Sequence, residues 1–175
     1  MNETTKRRLF TAIEHGEVAA VEAIIAKHPE EVDVRGTHKR LCRGKTPLMY
    51  AMQCEAFYLA RWFIARGADV RARIEGTTIS VLVLAARFGH GLNPRHAEWL
   101  TFAEELLARG ADPSEALWPA LHAYDQRDDQ TGMIELLLRA GADPEYAVPA
   151  GSIRELVRHN RALYSDKVLA LVGVR

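Results

Sequence analysis

The sequence predicts an all-α fold built from short helix pairs that stack on one another, and two observations predict it. Apolar residues recur at i, i+3 and i+4 over stretches too short to bury a stripe unaided, so each pair needs neighbours. The tripeptide Gly-Ala-Asp recurs at 67–69, 110–112 and 141–143, after apolar helical stretches. Glycine there suits the left-handed backbone that ends a helix.

The most regular unit is Gly44 to Asp69, GKTPLMYAMQCEAFYLARWFIARGAD. Thr46 is suited to cap a helix by accepting a hydrogen bond from an otherwise unpaired backbone N–H, and Pro47 fits the first turn because it has no N–H to satisfy. Leu48, Ala51 and Met52 share one apolar face, and Gln53 to Ala56 ends the helix. A second helix, Phe57 to Arg66, carries Leu59, Trp62 and Phe63 at the same spacing. The run Thr-Pro-Leu-x-x-Ala, the two short helices and the closing Gly-Ala-Asp together resemble an ankyrin repeat. Met49 and Cys54-Glu55 stand where that family usually has His and Gly. The resemblance therefore implies a missing Thr to His hydrogen bond and a unit more prone to fraying at its start.

The family's period of about 33 residues lets further copies be placed. Leu9 to Gly16, followed by Val18, Val21, Ile24 and Ile25, gives a first pair, with His28-Pro29 replacing the Gly-Ala turn. Ser80 to His90 gives the first helix of a third copy, and the late arrival of Gly110 places an insertion at about Gly91 to Trp99 between its two helices. Leu117 to Ala123 opens a fourth copy, with Asp125 to Thr131 as a long inter-helix turn. Ser152 to Asn160 and Tyr164 to Val172 form a last helix pair. The expected organisation is a single domain over 1–175, an ankyrin-type solenoid with projecting loop fingers. Its repeats lie at 6–40, 44–76, 77–114 and 117–147, with a C-terminal helical cap at 151–175.

At 175 residues, 48% hydrophobic and 26% charged, the chain is long enough for one continuous core. No apolar run approaches the roughly 18 residues that span a bilayer, and MNETTKRRLF lacks a hydrophobic signal region, so a cytoplasmic protein is expected. Cys42 and Cys54 form no Cys-x-x-Cys pair and suit a reducing compartment. The net charge is zero but polarised. Residues 1–94 hold 14 Lys/Arg against 10 Asp/Glu, residues 95–150 hold 4 against 11, and residues 151–175 hold 5 against 2. The densest basic run, Arg35 to Lys45, lies in the connection between the first two copies. It reads either as a solvated loop or as a finger that steers toward an acidic partner, with an association rate sensitive to ionic strength. It has no interleaved aromatics and the chain is not basic overall, which argues against nucleic acid.

No catalytic constellation emerges. His90, His96 and Glu98 match no strong metal-ligand spacing, the family pattern accounts for His90, and the expectation is no metal and no cofactor. The serines lack a Gly-x-Ser-x-Gly context, neither cysteine has a nucleophile motif, and Asp125 to Asp129 lacks a calcium-loop pattern. No Gly-rich phosphate loop is present.

What the resemblance implies is a non-catalytic protein-binding module, monomeric on its own, that meets a partner protein with its concave face and fingers. The exposed positions ending the first helices map to Glu14, His15, Gln53, Cys54, Arg87, Phe88, Gln126 and Arg127. The fingers map to Arg40, Arg43 and Lys45, then Arg71, Arg73 and Glu75, then Glu115 and Trp118. Phe88 and Trp118 stand out, because aromatic residues and Arg are enriched among binding hot spots. An adaptor or scaffold is the first reading; a dedicated inhibitor that blocks one partner enzyme is the alternative.

Overall fold

The computed structural model describes residues 1–38, 42–126 and 131–174. The chain divides into two compact units, Met1–Leu84 and Ala85–Arg175.

The first unit begins with helix α1, Glu3–Glu14, capped by the Asn2 side chain, which accepts from the Thr5 N–H at 2.9 Å. Its buried face is Leu9, Phe10, Ala12 and Ile13. Gly16, at φ 68°, turns the chain into α2, Val18–Lys27, which buries Val21 and Ile25. Helix α3, Pro47–Gln53, starts as the sequence implies. Pro47 lies in the first turn and the Thr46 hydroxyl accepts from the Met49 N–H at 3.3 Å. Met49, the residue in the family's His place, is fully buried, so an apolar contact stands where the polar one is missing. Helix α4, Phe57–Ala65, buries Leu59, Trp62 and Phe63 along with three neighbours. Helices α1 and α3 pack on each other as well as on their own partners.

Beyond α4 the chain projects. The Ile74 N–H donates to the Ile79 carbonyl at 2.9 Å, Arg73 bridges Ser80 in antiparallel fashion, and the Glu75 N–H donates to the Gly44 carbonyl at 2.9 Å. Two connecting segments are thereby zipped side by side. Ser80 then caps α5, Val81–Phe88, which crosses the division between the units.

In the second unit, α6 runs His96–Ala108 and buries Trp99, Phe102, Ala103 and Leu106. The insertion expected at 91–99 is thus shorter than the sequence suggests. Its second half joins the helix because Trp99, Phe102 and Leu106 share one buried face. Helix α7, Pro113–His122, starts four residues before the expected Leu117. The Asp112 carboxylate accepts from the Ser114 N–H at 2.9 Å and Pro113 needs no partner, so the helix opens directly from the preceding turn. No finger separates α6 from α7, and Glu115 and Trp118 lie within α7 rather than on a projection. Helix α8, Gly132–Arg139, packs on α7 and α6. A two-residue hairpin, Ala147–Val148 with Gly151–Ser152, precedes α9, Ile153–His159, which opens with a capping box of Ser152 and Glu155. Helix α10, Asp166–Val172, follows.

One turn recurs. Gly67, Gly110 and Gly141 sit at φ 86°, 86° and 94°. The following Ala68, Ala111 and Ala142 are buried and donate to Phe63, Leu106 and Leu137 carbonyls at 3.1, 3.1 and 2.9 Å. The Asp69, Asp112 and Asp143 carboxylates then each accept from the N–H two residues on, at 2.8 to 2.9 Å. Glycine closes the helix end, buried alanine anchors it, and aspartate fixes the exit.

Candidate protein-binding faces

In the first unit, the C-terminal ends of α1 and α3 present Glu14 and His15, both exposed, and Gln53 and Cys54, both half-buried. Gln53 and Cys54, expected at exposed positions, are thus partly covered. Lys45 reaches over from the connecting segment and donates to Gln53 Oε1. Lys45 is itself half-buried, and its partial burial lowers the ammonium pKa, opposed by the nearby Cys42 and Cys54 thiols. Beneath them Tyr50 packs on Phe10 at 5.5 Å. Burial first, then Cys54 and Glu14, push the Tyr50 hydroxyl pKa well up, so it stays a neutral phenol.

The connecting segments carry Arg43, Arg71 and Arg73 exposed on their surface. Arg35 behaves differently. Its Nη1 donates to the Gly44 carbonyl at 3.1 Å and to the Arg73 carbonyl at 2.6 Å, so this guanidinium fastens one connection to the next. Asp33 works in parallel, accepting from the Asp69 N–H through both carboxylate oxygens, at 3.2 and 3.0 Å. Its burial holds the carboxyl above its usual pKa, partly countered by that N–H. Nothing in the sequence beyond a basic loop composition marks Arg35 for this structural part. Arg40 lies outside the described residues.

In the second unit, Arg87 is exposed at the end of α5 and Phe88 is 37% exposed. One face of the Phe88 ring stacks on buried Trp99 at 5.7 Å, which leaves the other face open. Leu92, 59% exposed, adds apolar surface in the connection after it. That connection is held firmly. Asn93 Nδ2 donates to the Phe88 carbonyl at 2.8 Å, and His96 Nδ1 lies 2.7 Å from the Gly89 carbonyl, which can only accept, so Nδ1 carries the proton. A Cβ on Gly89 would lie 2.8 Å from the Ala85 carbonyl, Met133 and Trp99, so only glycine fits there. Trp118 is half-buried on α7 with its ring edge-on to His122 at 5.9 Å. Gln126 is exposed and donates through Nε2 to the Ala162 carbonyl at 3.0 Å. Arg127 lies outside the described residues.

His96 and Glu98 do not converge as ligands: His96 is directed at Gly89, and Arg95 grips Glu98 with two N–H groups at 2.8 and 2.6 Å. The His28, Glu30 and Glu31 side chains do approach one another, but Glu31 is paired with the N-terminal amine and His28 lies 3.9 Å from Glu30. Cys42 lies 3.9 Å from His38 Nδ1 and is fully buried, out of reach of any substrate. Both cysteines are free thiols. Among the described residues no helix is long and apolar enough to cross a membrane.

These arrangements can bind: they offer cationic and aromatic groups on backbone anchored at both ends. Residues 43–74 match the family model for the ankyrin repeat, spanning α3, α4 and the turn after them. Such repeats serve as protein-protein interaction modules. No curated protein matches the chain.

Proposed function

We propose that the chain is a non-catalytic adaptor that captures an acidic partner protein through the helix ends and connecting segments. The observation that carries this reading is the ankyrin match over 43–74, with basic side chains along the connections on both sides of it. Arg43, Arg71 and Arg73 supply long-range attraction. The exposed ring face of Phe88, backed by Trp99 and flanked by Arg87, supplies a preorganised apolar anchor. Little ordering entropy opposes association when such groups are already fixed.

Affinity purification with mass spectrometry provides the partner, and the purified pair then tests the reading. Arg87→Glu with Phe88→Ala abolishes capture while the circular dichroism melt stays nearly unchanged. Retained capture by that double variant removes this surface from the reading. Association with the wild-type chain slows as salt rises; a rate indifferent to salt removes the electrostatic half.

A further inference from the structure

We infer that the surface carrying Arg87, Phe88 and Leu92 receives an aromatic side chain of the partner protein, one with an acidic residue directly beside it in sequence. The inference rests on the protein-binding reading and names what the partner presents to this one patch. Among the described residues, Tyr58, Phe88, Leu92 and Leu163 are the large apolar side chains left exposed, and of these Phe88 and Leu92 lie four residues apart at one helix end. Both are held out by backbone that is already pinned. The Asn93 N–H donates to the His90 carbonyl at 3.0 Å, which closes a turn around Leu92, and the Arg95 N–H donates to Asn93 Oδ1 at 2.8 Å. With the Asn93 and His96 bonds to the Phe88 and Gly89 carbonyls, these contacts leave little to order when a partner arrives.

The ring geometry selects an aromatic occupant. Phe88 and Trp99 lie 27° from parallel, so a ring on the open face of Phe88 continues an existing stack, which an aliphatic side chain cannot do. Charge selects the neighbour of that ring. The stretch from Arg87 to Arg95 holds two Arg and His90 but no Asp or Glu. Glu98, the first carboxylate after it, is gripped by Arg95, and the exposed Arg87 guanidinium has no carboxylate partner among the described residues. Because Arg87 and Phe88 are consecutive, an acidic residue next to the partner's aromatic one reaches the guanidinium while the rings stack. A basic residue in that place would meet like charge, and an apolar one would offer Arg87 nothing.

The test is titration of the full ¹⁵N-labelled chain with acetylated, amidated Asp-Phe-Asp and its Asp-Leu-Asp, Asp-Ala-Asp and Lys-Phe-Lys counterparts, read from backbone amide shifts. Asp-Phe-Asp moves the signals of residues 87–92 and binds about tenfold more tightly than Lys-Phe-Lys, the scale of one charge-assisted contact. Arg87→Glu inverts that order. Asp-Phe-Asp binds about threefold more tightly than Asp-Leu-Asp, the scale of a ring pair, and Phe88→Leu erases this difference. No shift at about 10 mM peptide, where even a weak contact fills, or a charge preference that survives Arg87→Glu overturns the proposal. So does self-association in sedimentation that Phe88→Ala abolishes, since a second copy then covers the patch. A chain that ignores the peptides yet loses its captured partner in the Arg87→Glu, Phe88→Ala variant retains the adaptor reading and sinks the aromatic-acid pairing alone.

Discussion

The two helix pairs of the first unit, α1 with α2 and α3 with α4, turn the same corner with different residues. In each, an N–H at the entry to the second helix reaches back to a carbonyl of the first: Glu17 to Ala12 and Ala56 to Ala51, both at 2.8 Å. In each, the residue before that N–H is left-handed, Gly16 at φ 68° and Glu55 at φ 55°. Glycine takes this conformation without steric cost, whereas a side chain there costs about 1–2 kcal/mol. Yet the pair with the strained corner is the one that matches the family. The resemblance rests on the Thr46 cap, Pro47 and the Gly-Ala-Asp end, while the corner is set by packing. Buried helices on both sides of Glu55 over-determine its backbone and hold it in place.

If packing dictates the corner, the largest effect comes from charging the residues whose carbonyls close it. Ala12 is 3% exposed and Ala51 fully buried, and both lie on helices packed against two neighbours or more. Ala12→Asp and Ala51→Asp each bury a carboxylate without a cation, and each is expected to cost more than about 4 kcal/mol, enough to unfold the unit. Thermal melts and soluble yield measure this. A soluble, normally melting Ala51→Asp chain breaks the comparison, because the second corner would then not depend on its packing.

The same logic explains what was legible in the sequence. Thr46 and the three Gly-Ala-Asp turns were legible because each fixes its own backbone locally through a cap or a left-handed glycine. The element that follows a turn was not. Gly110-Ala111-Asp112-Pro113 leads straight into α7, whereas the identical Gly141-Ala142-Asp143-Pro144 leads into a hairpin. The difference lies further on. Val148 precedes Pro149 and is steered away from helical backbone, Gly151 turns at φ 130°, and the capping box at Ser152 starts a new helix. No such breakers follow Pro113 before Leu117, so Trp118 ended up on a helix rather than a finger. For the candidate faces, Glu14, His15, Arg87 and Phe88 were legible as helix ends. The contact between Tyr124 and Tyr164 was not: their rings stack across a gap in sequence that no periodicity bridges, and the Arg35 clasp depends on two carbonyls from separate segments.

A smaller effect comes from taking the glycine away from the first corner. A Cβ at Gly16 would meet nothing within 4 Å, so Gly16→Ala carries a conformational cost alone. The expected loss is about 1 kcal/mol, partly offset by the reduced entropy of the unfolded chain. The urea midpoint should fall with an unchanged slope. A loss as large as that of Ala12→Asp would mean that Gly16 does more than turn the chain.

The smallest and most discriminating change is Glu55→Gly. It relieves the left-handed strain but loosens the unfolded chain by about 0.4–1 kcal/mol, so the backbone part of the change is a gain of a few tenths to about 1 kcal/mol. Glu55→Asn separates the two effects, since Asn tolerates this backbone better than Glu and gives the unfolded chain less freedom than Gly. Both variants should raise the urea midpoint of the chain, with Asn at or above Gly. A lowered midpoint in both would show that the Glu55 side chain contributes more than its backbone costs. The second corner would then be held by that side chain, and not by the packing of α3 and α4 alone.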